Sequence, residues 1–147
     1  MSRFLPDTSV MVAAICGWHE HNRRAVRALE ARLAGGDTLV VAAPALIETY
    51  AVLTRLPPPH QLAPSDAGTL VEANFVSGVE TVALDAASYH RLLHDAPRER
   101  IAGGRIYDRA IAACAIEAKA TELLTFNVRD FAIFALSGTA VVAPEAD

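Results

Sequence analysis

The chain has 147 residues, 52% hydrophobic and 20% charged, which excludes intrinsic disorder and predicts one domain over 1–147 large enough to bury its own core. A formal charge of −4 argues, on that count alone, against a protein that grips nucleic acid through a basic face. No apolar run is long enough to span a membrane, and the start, Met1-Ser2-Arg3-Phe4-Leu5-Pro6-Asp7, lacks a signal-peptide core, so a cytoplasmic protein is expected.

In chain order, a short apolar run at Phe4-Leu5 reads as a strand ending at Pro6-Asp7. Thr8 and Ser9 are good N-cap types, and residues 10–15 read as a helix start. Residues 18–33 carry Ala25, Leu29 and Leu33 four apart among Arg and Glu, the spacing of an amphipathic helix, stopped by Gly35-Gly36. The β-branched run 38–42 predicts a buried strand. Pro44 suits the first turn of a helix running through Leu46, Glu48, Tyr50 and Leu53 to Pro57. A further helix starts at Ser65 and closes near Gly78. Residues 80–84 read as a strand, Asp85 caps a helix containing Tyr89, Leu92 and Leu93, and residues 97–104 form a polar loop. A helix over 106–120 has a small-residue face at Ala110, Ala113, Cys114 and Ala118. Strand 122–126, a turn at 127–130, a helix-like piece at 131–136 and a last strand at 139–143 complete the chain. Cys16 and Cys114 both sit in apolar, helix-like segments outside any CxxC pattern and are expected to be reduced core residues.

Short apolar strands alternating with helices imply an α/β fold: a doubly wound, mostly parallel sheet of about five strands. Ligands of such sheets lie at the carboxyl ends of the strands. Asp7 falls at the end of the first strand, and Thr125, Asn127 and Asp130 at the end of strand 122–126. The two sets converge if those strands are neighbours. Asp108 sits in the first turn of the preceding helix, where the helix dipole alone favours an acid. Asp7 alone would pass for a strand-to-helix turn residue. Glu48 is less ordinary, because its helix is otherwise Ala, Leu and Tyr and a carboxylate is seldom buried without a partner. Together these acids offer oxygen ligands only, a set suited to Mg²⁺ or Mn²⁺ and not to Zn²⁺.

Four segments in this order, Phe4-Leu5-Pro6-Asp7-Thr8-Ser9, Ile47-Glu48, Tyr107-Asp108-Arg109-Ala110-Ile111-Ala112-Ala113 and Leu124-Thr125-Phe126-Asn127-Val128-Arg129-Asp130-Phe131, resemble the PIN-domain ribonucleases. The chain looks in particular like the toxin half of bacterial VapBC toxin–antitoxin pairs. The resemblance spans essentially the whole chain. It implies that Asp7, Glu48, Asp108 and Asp130 form an acid cluster, with Thr8, Ser9, Thr125 and Asn127 as supporting polar groups. It implies further a metal-dependent endoribonuclease using Mg²⁺ or Mn²⁺ on an RNA substrate, a VapB-type antitoxin partner, and a homodimer. Asp7 and Asp108 are the expected direct ligands, Glu48 a ligand or the group that orients the attacking water, and Asp130 a ligand through water. Pro6 departs from the pattern, which ordinarily has a strand former before the first acid. Without the four acids the formal charge of −4 would be zero, and Arg98, Arg100, Arg105, Arg109 and Arg129 near the strand ends become candidate phosphate contacts.

A phosphoacceptor receiver domain or a haloacid-type phosphatase also places Asp after its first strand. The phosphatase needs Asp-x-Asp where this chain has Asp7-Thr8-Ser9, and both need a Lys near a later strand end where the one lysine, Lys119, falls in a helix. The pairs His90/His94 and His19/His21 match no HExxH pattern and lie away from the acids in sequence, so they read as half-exposed structural histidines. The remaining alternative is a PIN-like module that binds RNA or protein without cutting.

Overall fold

A computed structural model of the protein describes residues 2–146. Its strands are β1 (Arg3–Pro6), β2 (Thr38–Ala42), β3 (Glu80–Val82), β4 (Glu122–Leu124) and β5 (Ala140–Val142), joined in one parallel sheet of order β3-β2-β1-β4-β5. Helices α1 (Thr8–Ile15) and α2 (Asn22–Ala34) follow β1, and α3 (Ala43–Thr54) and α4 (Pro64–Val71) follow β2, α4 running on as a π-helical turn over Glu72–Val76. Helices α5 (Ala86–Asp95) and α6 (Arg105–Glu117) follow β3, and α7 (Val128–Ala132) follows β4.

Successive strand residues face opposite sides of a sheet. Phe4 and Leu5, Val40 and Val41, and Leu123 and Leu124 are all fully buried, so both faces of the sheet are covered. This is the doubly wound arrangement expected from the alternation of strands and helices. Helix α6 packs closely because its inward positions are mostly small: Ala110, Ala112, Cys114 and Ala115 are buried with Ile111. Both cysteines are free and buried, and burial pushes the Cys114 thiol up to about 11. No helix among the described residues is long and apolar enough to cross a membrane.

Strand β1 is central, with Arg3 opposite Thr38 on one side and Pro6 opposite Leu124 on the other. Successive strands run outward from β1 to β3, then the chain crosses back to lay β4 on the other side. The order therefore reverses between β1 and β4, where the carboxyl ends of open α/β sheets leave a crevice. Pro6 is accommodated as the last residue of β1, and the ladder is continued by the Asp7 N–H, which donates to the Leu124 carbonyl at 2.8 Å.

The last three strands and the helix expected over 106–120 end short of the sequence expectation, and three other boundaries differ near the crevice. Asp7, not Thr8 or Ser9, caps α1, its carboxylate accepting from the Val10 N–H. The amphipathic helix begins at Asn22 and not at Trp18. Two successive turns, His19 N–H to Cys16 O at 2.9 Å and Asn22 N–H to His19 O at 3.0 Å, fold residues 16–21 into a tight loop, which the Asn22 amide fastens to Ala13 O at 2.8 Å. Helix α7 starts a turn early, since Asn127 O already accepts from the Asp130 and Phe131 N–H groups, and Asp130 lies in its first turn. Helices α2 and α6 end alike. Past α2, Gly36 takes φ +90° while Asp37 N–H bonds to Arg32 O and Gly36 N–H to Leu33 O. Past α6, Lys119 is held at φ 54° as Ala120 N–H bonds to Ala115 O and Lys119 N–H to Ile116 O. Each is a Schellman closure, the second with a side chain where glycine is usual.

Candidate active site

Asp7 leaves β1 at the crevice and is 3% exposed. Its carboxylate accepts three hydrogen bonds: from Ser9 Oγ at 2.6 Å and Val10 N–H at 3.1 Å on Oδ1, and from Thr125 Oγ1 at 2.6 Å on Oδ2. Both hydroxyl donors are themselves held. Ser9 Oγ accepts from Phe126 N–H at 3.2 Å, and Thr125 Oγ1 from Asn127 N–H at 2.9 Å. A carboxylate offers about four lone-pair sites, so Asp7 keeps one for a further partner. Burial is the main reason its pKa is raised from 3.8 to about 6; the three hydrogen bonds oppose that rise and the Glu48 charge adds to it.

Glu48 reaches the same place from α3. Ala45, Thr49 and Leu53 turn that helix's buried face inward, and Glu48 and Val52, four apart, line the cleft beside it. Thr8 Oγ1 donates to Glu48 Oε1. Asp108 enters from the first turn of α6, and Asn127 from the end of β4. Asp7, Thr8, Ser9, Glu48, Asp108 and Asn127 thus line one open cleft of about 510 Å³ at the β1/β4 crossover. Asp108 is also pushed from 3.8 to about 6, first by burial, then by the charges of Asp7 and Glu48, with Arg105 opposing and Asp130 adding. Asp130 stands outside the cleft lining, its side chain 50% exposed, 3.4 Å from Arg105 Nη1. Arg105 sits between the two outer acids, its Nε 3.5 Å from Asp108 Oδ2 and its Nη2 donating to Asp130 O at 2.6 Å.

The donors facing the cleft are carboxylate, hydroxyl and amide oxygens, the chemistry of a hard divalent cation. Among the described residues no three His, Cys, Asp or Glu side chains are drawn together tightly enough to enclose an ion as they stand. Burial first and then the charges of neighbouring acids raise Asp7 and Asp108, Arg105 and the hydrogen bonds to Asp7 offset this only in part, and a cation in the cleft would relieve the remainder. The residues fit such a cation by donor chemistry and by charge.

Of the arginines considered for phosphate contact, Arg98 pairs with Asp95 at 2.9 Å and Arg109 with Glu99 at 3.3 Å, so both engage acids of this chain. His19 and His21 are half-exposed as the sequence suggests, but their separation from the acids in sequence does not hold in space. His19 and His21, with Glu20, line the acid cleft, because the tight loop after α1 folds back beside Asp7. Their proximity to the acids depends on a loop that helical periodicity across residues 18–33 conceals. His90 and His94 are exposed on α5, away from the cleft lining.

The family model described as PIN domain matches residues 4–135. Ribonuclease VapC40 of Mycobacterium tuberculosis (strain ATCC 25618 / H37Rv) is 40% identical over 124 residues, covering 84% of this chain and 86% of that protein. Ribonuclease VapC27 of the same strain is 34% identical over 133 residues, covering 84% and 83%. Two crystal structures share the fold. VapC20 of Mycobacterium tuberculosis, described as a Sarcin-Ricin loop cleaving toxin, superposes with a TM-score of 0.71 at 15% identity, covering 92% of this chain and 97% of that one. VapBC2 from Rickettsia felis, bound to a DNA fragment from its promoter, gives 0.67 at 20% identity, covering 97% and 99%.

Proposed function

This chain belongs to the PIN-domain family, and on that premise we propose that it is a metal-dependent endoribonuclease acting as the toxin half of a VapBC-type pair. The observation that carries this reading is the meeting of Asp7, Glu48 and Asp108 in one cleft at the sheet's crossover. The relatives named ribonucleases support RNA as the substrate.

Asp7 and Asp108 would hold Mg²⁺ or Mn²⁺ directly, with Glu48 beside them and Asp130 acting through water from the rim. The bound ion supplies neutralisation of phosphate charge and a lowered pKa for water. The chain's own residues do the rest. Ser9, Val10 and Thr125 fix the Asp7 carboxylate, leaving it one acceptor site for a further partner. Thr8 fixes Glu48, which orients the attacking water. Water gives up one proton as its oxygen bonds to phosphorus, an ester P–O bond breaks, and the departing oxygen takes up one proton, so the step balances as hydrolysis to a phosphomonoester and an alcohol. No side chain becomes covalently attached.

A VapB-type antitoxin and a second copy of this chain are the proposed partners, and the cytoplasm the proposed compartment. Supporting the partners, Ile47, Leu93 and Tyr107 are 74%, 62% and 53% exposed around an apolar cleft shared by α3, α5 and α6, the kind of surface that marks an interface. The test is cleavage of single-stranded or loop RNA by the purified protein in Mg²⁺ or Mn²⁺ and in excess EDTA. Cleavage that EDTA abolishes is expected. Undiminished cleavage in EDTA refutes the metal requirement, and RNA binding without cleavage in either condition leaves a non-catalytic binding module.

A further inference from the structure

Beside the acid cleft runs a line of planar rings that the hydrolytic reading does not use. Trp18, the one tryptophan of the chain, is 49% exposed at the tip of the loop joining α1 and α2. His60 lies parallel to its indole, centroids 3.9 Å apart at 16°. The line continues from Trp18 to His19 at 5.8 Å, from His19 to His21 at 5.7 Å, and from His21 to Phe126, stacked at 4.7 Å and 23°. The Arg24 guanidinium lies at the Phe126 end, 5.2 Å from that ring's centroid. His19, His21 and Phe126 also line the cleft that holds Asp7, Glu48 and Asp108, so the rings start at the reacting centre and lead outward.

We propose that the Trp18–His60 stack, approached along His19, His21 and Phe126, is a base-stacking platform that seats an unpaired nucleotide flanking the scissile phosphate; this rests on the endoribonuclease reading of the neighbouring acids. Single-stranded nucleic acid is held where aromatic planes stack on bases, with modest dependence on base identity. The platform is built in advance. The turns at Cys16–His19 and His19–Asn22 and the Asn22–Ala13 bond fix the loop, and His21 N–H donates to His19 Nδ1 at 3.0 Å. That acceptor role requires an unprotonated His19 Nδ1, and burial, which lowers the His19 pKa, favours the neutral ring. Glu20 lies 3.5 Å from His21 Nε2, and among the described residues Arg24 is the one cation placed on the rings, so the feature the strip repeats is the ring face and its ligand chemistry is the base face. A partner protein segment is the competing occupant, and the test below separates it.

Because Trp18 is the chain's one tryptophan, its emission reports the platform without any substitution. The wild-type chain is titrated, in Ca²⁺ to neutralise the acids, with an end-labelled rA hexamer and with an abasic ribose-phosphate hexamer. Anisotropy reports binding and indole emission reports stacking. We expect the rA strand to quench or shift Trp18 emission in step with binding, and the abasic strand to bind at least about 5-fold more weakly with no spectral change. Trp18→Ala should weaken rA binding about 5- to 100-fold and leave the abasic strand's affinity unaltered, whereas Trp18→Phe should keep most of it. A bound rA strand that leaves the emission unchanged, equal affinity for the two strands, or absence of rA binding overturns the platform. An emission that responds to the antitoxin but not to rA makes the strip a protein-docking surface and overturns it equally. Cleavage assays in Mg²⁺ and EDTA read the hydrolytic function separately: cleavage without quenching overturns the platform and leaves the endoribonuclease reading, whereas quenching without cleavage overturns the endoribonuclease reading and with it the placement beside a scissile phosphate, leaving only a base-binding strip.

Discussion

Replacing Asp108 by Asn removes one charge from the acid cleft at nearly constant shape, and the expected result is a more stable protein. Asp108 titrates near 6 in the fold against 3.8 for the ordinary group, chiefly through burial and then the charges of Asp7 and Glu48. At pH 7.5 its ionised form therefore destabilises the fold by about 3 kcal/mol relative to a carboxyl that keeps the ordinary value. Its side chain is 26% exposed and the substitution gives up the loose Arg105 pair, so about 1–2 kcal/mol should be recovered. For a chain of this size that is a rise of about 3–8 °C in apo Tm. The folded group holds its proton more tightly than the unfolded one, so its contribution to stability is present below about pH 3.8 and lost as pH rises through about 6. The variant's advantage should accordingly be full at pH 7.5 and about a third as large at pH 4.5. Calorimetry in EDTA at the two pH values reads the difference, and a cleavage assay should show activity abolished. A lower apo Tm for Asp108→Asn at pH 7.5, or an advantage equal at both pH values, would refute the reasoning and make Asp108 a structural helix-start residue.

Thr125→Val removes the 2.6 Å donor to the buried Asp7 Oδ2 and should destabilise the protein by about 1.5–3 kcal/mol above pH 7, less at pH 4.5, with Thr125→Ser restoring it in chemical denaturation. The same change should move the acid limb of the cleavage profile to higher pH, since a lost donor raises Asp7 further. Mn²⁺ affinity of the wild type, by calorimetric titration, should fall steeply between pH 7 and 5 as Asp7 and Asp108 take up protons near 6; a flat profile would place the ion elsewhere. Lys119→Gly should stabilise the fold by about 0.5–1 kcal/mol in urea titration, because Lys119 holds φ 54° at the end of α6 where glycine is unstrained.

The sheet was legible because its strands are buried on both faces and therefore read as unbroken apolar runs: Thr38–Ala42 is predicted residue for residue, and the later runs are trimmed by one or two. Asp7 is legible through the rule that ligands gather at carboxyl ends, Glu48 as a carboxylate in an otherwise apolar helix and Asp108 as a first-turn helix acid, the set being joined by the family resemblance. The loop at residues 16–21 was not. Its apolar and charged residues continue the helical period of α2, and only the Asn22–Ala13 bond and two turns show that Trp18, His19 and His21 leave the helix. Asp130 was placed with the other acids by its distance from Thr125, and Arg105, a contact 25 residues away, ties it at the rim. Side-chain pairings of that span leave no local pattern.

The central claim, that Asp7 and Asp108 hold the cation with which RNA is cut, is tested most directly by Mn²⁺ titration followed by electron paramagnetic resonance. The wild type is compared with Asp7→Asn and Asp108→Asn at pH 7.5, each sample assayed in parallel for RNA cleavage. The account predicts saturable Mn²⁺ binding in the wild type, weakened at least about tenfold in each variant, with cleavage lost in the same samples. Unchanged Mn²⁺ binding in both variants, or cleavage that survives the loss of bound Mn²⁺, would contradict it.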